Sequence, residues 1–207
     1  MPPLNHAVLS ASSAYRWLEC PPSALATADI PDETTIYAQE GSAAHEMAEY
    51  KIRWHLGAKD LAPPNVGNFN AEEIDRYTDS YAYYATDKIE TIRKICPDAI
   101  VMVEQRLDFS NYVKDGFGTG DLVIVADDVL QVIDFKYGKG VTVSAELNPQ
   151  MMLYALGALN LYGYLYDIKT VKTAIVQPRL DNISEWEISV DELLEWAENT
   201  LKPIAEL

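Results

Sequence analysis

Asp134 and Lys136 stand two positions apart in the run Leu130 to Tyr137, whose β-branched and aromatic content suits a strand, so both side chains leave one face. A carboxylate is thereby set beside an ammonium. Asp121 opens a second apolar run, Leu122 to Ala126, and Asp127-Asp128 between the two runs suits a tight turn of an antiparallel hairpin. The hairpin brings Asp121 toward Asp134. Convergent carboxylates with few other ligands suit Mg²⁺ or Mn²⁺, hard ions that keep several waters for a substrate phosphate to displace. A neighbouring lysine can then orient the attacking water or screen charge developing on phosphorus. The chemistry these residues suit is phosphodiester hydrolysis.

The elements that must position them follow from caps and periodicity. Asn148-Pro149 reads as N-cap and first helical residue of a helix running to about Tyr162, on which Gln150 and Tyr154 share a face one turn apart. A helix from about Ser42 to Leu56 carries His45, with Glu46 beside it and Glu49 one turn on; either acid could fix the ring tautomer, or both belong to a solvated face. Asn70 with Glu73 opens a helix to about Ile95, before Pro97. Its Tyr77, Tyr81 and Tyr84 stripe is expected to pack in the core rather than stack on bases. Gly57 to Phe69, with Pro63-Pro64, is expected to be loop. Ala99 to Phe109 reads as a strand containing Glu104, a candidate extra metal ligand or supporting carboxylate, and Asn111 to Gly120 as a glycine-rich turn into Asp121. Gly138 and Gly140 break the Lys136 strand, and Val141 to Ser144 is expected to resume it as an edge. Thr170 to Gln177 and Ile183 to Val190 read as two more strands, and Asp191 as the cap of a last helix to about Ala205. The sum is an α/β fold, a mixed central sheet flanked by helices and preceded by a helical N-terminal segment. We read one domain over 1–207, mainly helical over 1–97 and sheet-containing over 98–207.

In this order, Gly-x-x-Asp at Asp121, Asp-x-Lys at Asp134 and Lys136, and Gln-x-x-x-Tyr at Gln150 and Tyr154 resemble the RecB-like branch of the PD-(D/E)XK nuclease superfamily. Gly41 to His45 is similar to that branch's Gly-x-x-x-His segment, and Ser12 to Pro21 resembles the segment that supplies the first cluster cysteine in AddB-related iron–sulfur members. More narrowly, about residues 8 to 206 resemble a family of RecB-like phage and prophage proteins, DUF2800. The resemblance implies a restriction-endonuclease-like core and a metal-dependent deoxyribonuclease, exonuclease-like, acting in phage DNA recombination, replication or repair. It implies one or two Mg²⁺ or Mn²⁺ ions held by His45, Asp121, Asp134 and the carbonyl of Phe135; Glu104 and Glu46 are candidate supporting acids from their positions alone. Lys136 would then act on the water, Gln150 would position Lys136 or a phosphate oxygen, and Tyr154 would contact the DNA backbone or brace the site. Cluster-bearing relatives place three further cysteines after the nuclease core. Cys20 is therefore an Fe–S ligand only in a longer chain, and the ending Leu201 to Leu207 is expected to be a truncation.

The 207 residues are 48% hydrophobic and 23% charged, enough for one core. With 16 Lys and Arg against 32 Asp and Glu the net charge is −16, which weighs against tight autonomous DNA binding. Arg16, Lys51, Arg53, Lys136, Lys139 and Arg179 are the residues that could line a basic groove despite it. The acidity also suits a noncatalytic DNA-end or partner-binding module that docks basic recombination or single-strand-binding proteins, and a third reading is a hydrolase of a small phosphate ester. No apolar run is long enough to span a membrane, and residues 1–6 have neither the charged start nor the apolar core of a signal peptide. A cytoplasmic location, in the bacterial host, is expected. Two cysteines, Cys20 and Cys96, make no disulfide framework.

Overall fold

A computed structural model describes residues 7–26 and 35–207; the signal-peptide reading of residues 1–6 lies outside them. Two short helices, α1 (Ala14–Glu19) and α2 (Pro22–Ala26), precede two long ones, α3 (Ile36–His55) and α4 (Ala71–Ile95). Strands β1 (Ile100–Asp108), β2 (Phe117–Ala126) and β3 (Val129–Phe135) form a meander, α5 (Pro149–Tyr162) crosses over, and β4 (Thr170–Gln177) and β5 (Asn182–Ser189) complete the sheet. Helix α6 (Val190–Trp196) continues through a π-helical turn at Ala197–Leu201 into a last turn, Lys202–Ala205. Strand order is β1-β2-β3-β4-β5, antiparallel except for the β3–β4 pair, which is parallel. That one parallel pair is what the α5 crossover makes necessary.

The sheet separates two apolar clusters. Leu130, Val132, Val171 and Ile175 pack against α5 and the N-terminal helices, through Trp17, Met152, Leu153 and Leu156. Ile133, Phe135, Leu122 and Ile124 pack beneath α3 and α4, through Ile52, Ile74, Tyr81 and Ile89. Of the predicted tyrosine stripe, Tyr81 is fully buried and stacks on Phe135 at 4.6 Å between ring centroids, while Tyr77 and Tyr84 pack at the margin of the same cluster. The stripe is core packing. A buried α5 helix needs no amphipathic face, and its run Met151 to Ala158 is buried throughout.

Several boundaries differ from those read in the sequence. Helix α3 begins at Ile36, six residues before Ser42, because the Thr35 hydroxyl accepts from the Ala38 amide and caps the earlier turn. The glycine-rich stretch before Asp121 is not all turn: Phe117 to Gly120 pair with Asp108 to Gln105 as the start of β2. Glycine is required there by close approach, since a Cβ on Gly118 would lie 2.6 Å from the Tyr154 ring and one on Gly120 2.9 Å from Leu107 Cδ1. Val141 to Ser144 does not resume the sheet. Side chains from β4 and β5 satisfy that backbone instead: Val143 N donates to Gln177 Oε1 at 2.7 Å, Ala145 N to Ser184 Oγ at 2.9 Å, and Gln177 Nε2 donates to Val141 O at 3.1 Å. The last helix is capped by Ser189, not Asp191, in a reciprocal capping box with Glu192.

Candidate metal and phosphodiester site

The site forms at one end of the sheet, where α3 lies on one face and α5 on the other. On the α5 face, Asp134 is 4% exposed. Gln150 Nε2 donates to Asp134 Oδ1 at 3.2 Å and to Tyr154 Oη at 3.1 Å, and Lys136 Nζ donates to Gln150 Oε1 at 2.9 Å. Lys136 Nζ also lies 3.0 Å from Asp134 Oδ2, an ion-pair distance, although that oxygen accepts no aligned hydrogen bond among the described residues. The four residues read from two motifs thus form one connected network. Two features of the sequence produce it: alternation along β3 puts Asp134 and Lys136 on the α5 side, and the Asn148 cap, accepting from Gln150 N and Met151 N, sets the phase of α5.

On the other side, Asp121 Oδ2 accepts from the Phe135 amide at 2.6 Å and its Oδ1 lies 3.4 Å from His45 Nδ1. Glu104 joins them. His45, Glu104 and Asp121 each offer one ligand atom, and those atoms lie within 4.8 Å of one another. Asp134 is outside that trio, because it is turned toward Lys136 and Gln150.

The position of Glu104 comes from a local break in strand alternation. Val101 and Val103 belong to the α3–α4 cluster, yet Leu107, of the same parity, packs against α5. The same slip occurs in β2, where Leu122 and Ile124 face α3–α4 but Gly118 and Gly120 face Tyr154 and Leu107 on the α5 side. Register is kept across it, Val103 with Leu122 and Gln105 with Gly120, so Glu104 stands opposite Asp121 at the slip in both strands. Glu104 carries it with φ 52°, a left-handed backbone that is unfavourable for a non-glycine residue. Arg53 of α3 donates to Val103 O at 2.9 Å and to Glu49 at 2.6 Å, tying the helix to the distorted strand.

The electrostatics report the crowding of acids. Burial raises the Glu104 carboxyl to about 7, and Asp121 adds to the rise against His45 and Arg53. Burial likewise raises Asp134 to about 6, opposed by Lys136 and reinforced by Asp121. Burial of the His45 ring disfavours its charged form, but Asp121, then Asp134 and Glu104, outweigh it and raise the ring to about 9. Without a cation, His45 therefore holds a proton that a bound metal would displace.

Of the remaining expected residues, Glu46 is exposed, and Phe135 enters through its amide and its ring, which lies 5.1 Å from the His45 ring. Cys20 is exposed, and buried Cys96 donates to Asp98. The expected groove cations do not line up as one set: Lys51 pairs with Asp75 and Asp79, Arg53 with Glu49, and Arg16 is exposed. Arg179 and Lys139 do share one cavity, with Glu40 and Glu73. Glu40, Glu73 and Tyr137 are not among the site residues that the sequence motifs mark.

The model for the family described as "Protein of unknown function (DUF2800)" matches residues 6–207, and the chain belongs to that family. Among solved structures, one described as "Crystal structure of SSO0001" is 17% identical, with 90% of this chain and 85% of that chain covered, at a TM-score of 0.27. A superposition that loose decides nothing about either fold or site. No helix among the described residues is long and apolar enough to cross a membrane.

Proposed function

We propose that the protein is a Mg²⁺- or Mn²⁺-dependent deoxyribonuclease of the RecB-like PD-(D/E)XK type, with a restriction-endonuclease-like core, serving phage DNA recombination, replication or repair. The observation that carries this reading is the closed network of Asp134, Lys136, Gln150 and Tyr154 set against the His45, Glu104 and Asp121 trio at the same sheet end.

The donor set fits a hard divalent cation. Two carboxylates and an imidazole converge, and Asp134 Oδ2 is a buried carboxylate oxygen left without an aligned donor. His45, Glu104 and Asp121 would hold the ion, with Asp134 bordering it. When bound, such an ion polarises the phosphate and lowers the pKa of a coordinated water. The chain's own part is positional. Asp134 and Gln150 hold the Lys136 ammonium between them, so it meets the attacking water or the nonbridging phosphate oxygens in one orientation. Gln150 spends its two amide hydrogens on Asp134 and Tyr154, which fixes its carbonyl oxygen on Lys136. Phe135 N–H holds Asp121 Oδ2, leaving Oδ1 toward His45.

The test is cleavage of end-labelled linear and circular DNA, single- and double-stranded, with Mg²⁺ or Mn²⁺, beside Asp134→Ala and Lys136→Ala. Metal-dependent cleavage by the wild type alone is expected, and loss of activity on circles would mark exonuclease-like action. Retained cleavage in both variants would sink the assignment. The net charge of −16 supports one second reading, a noncatalytic module docked to a basic partner; DNA binding without cleavage in Mn²⁺ would favour it. Cleavage of nucleotides but not DNA would point to a small-ester hydrolase.

A further inference from the structure

A cavity of about 470 Å³ opens beside the strand end that carries Lys136, walled by Tyr37, Glu40, Glu73, Tyr137, Lys139 and Arg179. Its back wall is a buried cation. The Arg179 side chain is 4% exposed; its Nη2 donates to Glu73 at 2.7 Å, its Nη1 lies 3.4 Å from Glu40, and its guanidinium stacks over the Tyr137 ring at 4.4 Å. Two polar atoms of this wall, Arg179 Nε and Tyr137 Oη, are buried and have no hydrogen-bond partner among the described residues. Tyr137 is itself 3% exposed. Burial raises its hydroxyl to about 12, with Arg179 opposing and Glu40 and Glu73 reinforcing, so the phenol keeps its proton and remains a donor.

Unpaired buried donors are costly unless something accepts from them. Here both belong to residues that line one cavity, and the exposed Lys139 ammonium, also of that lining, lies 3.5 Å from Glu73. Glu40 and Glu73 balance Arg179 and Lys139, so the cavity has donors without net charge. That combination suits an acceptor-rich group of low charge. A phosphodiester, with one negative charge over two nonbridging oxygens, fits better than a dianionic terminal phosphate. Tyr137 directly follows Lys136, and its ring lies 6.2 Å from that of Phe135, whose amide holds Asp121. The cavity is thus one residue along the chain from the cleavage chemistry.

We propose that the Tyr137–Lys139–Arg179 cavity is a phosphodiester subsite that takes a DNA backbone phosphate flanking the one cleaved. This rests on the nuclease reading and deepens it. Glu40 and Glu73 hold the guanidinium edge-on, leaving its Nε–H for the ligand; the tyrosine hydroxyl donates a second bond, and Lys139 adds a screened charge.

Arg179 is a poor test, because removing it strands two partly buried acids. Tyr137→Phe deletes only an unpartnered hydroxyl, so a merely structural tyrosine tolerates it. Affinity would be read by anisotropy of labelled 12-nucleotide DNA in EDTA, with and without a 5′-phosphate, and with inorganic phosphate as competitor. Tyr137→Phe is expected to weaken binding about tenfold, the worth of one hydrogen bond to a charged group, and Lys139→Gln about threefold, both with unchanged Tm. A 5′-phosphate should matter equally little to wild type and variants. Wild-type affinity in Tyr137→Phe overturns the subsite, while metal-dependent cleavage by the same preparations leaves the nuclease reading standing. A 5′-phosphate preference that Tyr137→Phe abolishes overturns the diester assignment in favour of a terminal phosphate. If wild type neither binds nor cleaves DNA, the nuclease reading fails by itself. The cavity's affinity for phosphate is then judged by inorganic phosphate alone, its binding to wild type but not Tyr137→Phe supporting the site and equal binding overturning it.

Discussion

The two faces of the sheet end hold their acids in opposite ways. On the α5 face Asp134 is buried deeply, yet it lies against Lys136 and accepts from Gln150, the Lys136–Gln150 bond closes the ring, and Tyr154 accepts from Gln150 beside it. On the α3 face Glu104 and Asp121 crowd one imidazole, and the strand twists into a left-handed backbone at Glu104 to let them meet. The first arrangement compensates its charge internally and is organised before any ligand arrives. The second accumulates negative charge, which a protonated His45 balances only in part. Under the proposed nuclease function a division of labour would follow: the α5 face would orient the groups that act on water and phosphate, and the α3 face would recruit the cation.

The largest effect that separates the faces is catalytic. Lys136→Ala should lower metal-dependent cleavage by about a thousandfold, the scale of losing one preorganised electrostatic group, yet keep the rise in Tm that the proposal expects added Mn²⁺ to give the wild type. Asp121→Asn should lose both. Calorimetry with and without Mn²⁺, run beside the cleavage assay, checks the pair; if Lys136→Ala also lost the Mn²⁺ shift, the two faces would not be separable.

Next comes the wall between them. The Phe135 ring, 1% exposed, lies under Tyr81 and beside His45. Phe135→Ala should destabilise the fold by about 3–5 kcal/mol through the cavity it leaves. Because the α3 face rests on that ring, Mn²⁺ affinity should fall with it. Denaturant unfolding gives the first number and Mn²⁺ titration the second.

Much of this was legible in the residues, and the rest was hidden for identifiable reasons. Caps at Asn70 and Asn148, the Asp127-Asp128 turn and the alternation of β3 are local signals, so α4, α5 and the hairpin fell where their sequences place them. The Asp134, Lys136, Gln150 and Tyr154 set was legible for the same reason, each partner being phased by a local rule. Glu104 was harder. Its place depends on a cross-strand register and on a parity slip shared by two strands, and neither leaves a periodic mark in one strand alone. The start of β2 was misread because glycines that signal a turn also serve where Tyr154 and Leu107 come too close for a side chain. Val141 to Ser144 has strand composition, but Gln177 and Asn182 meet its backbone first.

The crowding on the α3 face predicts a sign that a conventional salt bridge would not. Glu104 is raised mainly by burial and by Asp121, so its ionised form works against the fold in the absence of metal. Glu104→Gln should therefore stabilise the metal-free protein near neutral pH. The side chain is partly exposed, so solvent screening limits the gain to about 1 kcal/mol, or about 2–4 °C in Tm. The same variant should lose part of the Mn²⁺ shift. A drop in metal-free Tm would mean that Glu104 braces the strand rather than serving the ion.

The smallest change tests the α5 face at its far end. Tyr154→Phe removes the oxygen that accepts from Gln150 Nε2 and leaves the ring seated over Gly118. One amide hydrogen of Gln150 then loses its protein acceptor, at a cost of about 1 kcal/mol, while Asp134 and Lys136 keep their direct contact. Stability should fall by about 2–4 °C, and cleavage should fall modestly, because Gln150 can now rotate and no longer presents its oxygen to Lys136 in one orientation. Mn²⁺ affinity should barely move, since the deleted hydroxyl is hydrogen-bonded to Gln150 and not to His45, Glu104 or Asp121. Equal losses of cleavage and of Mn²⁺ affinity in this variant would show that the network and the trio behave as one unit, and that the contrast between the faces is geometric without being functional.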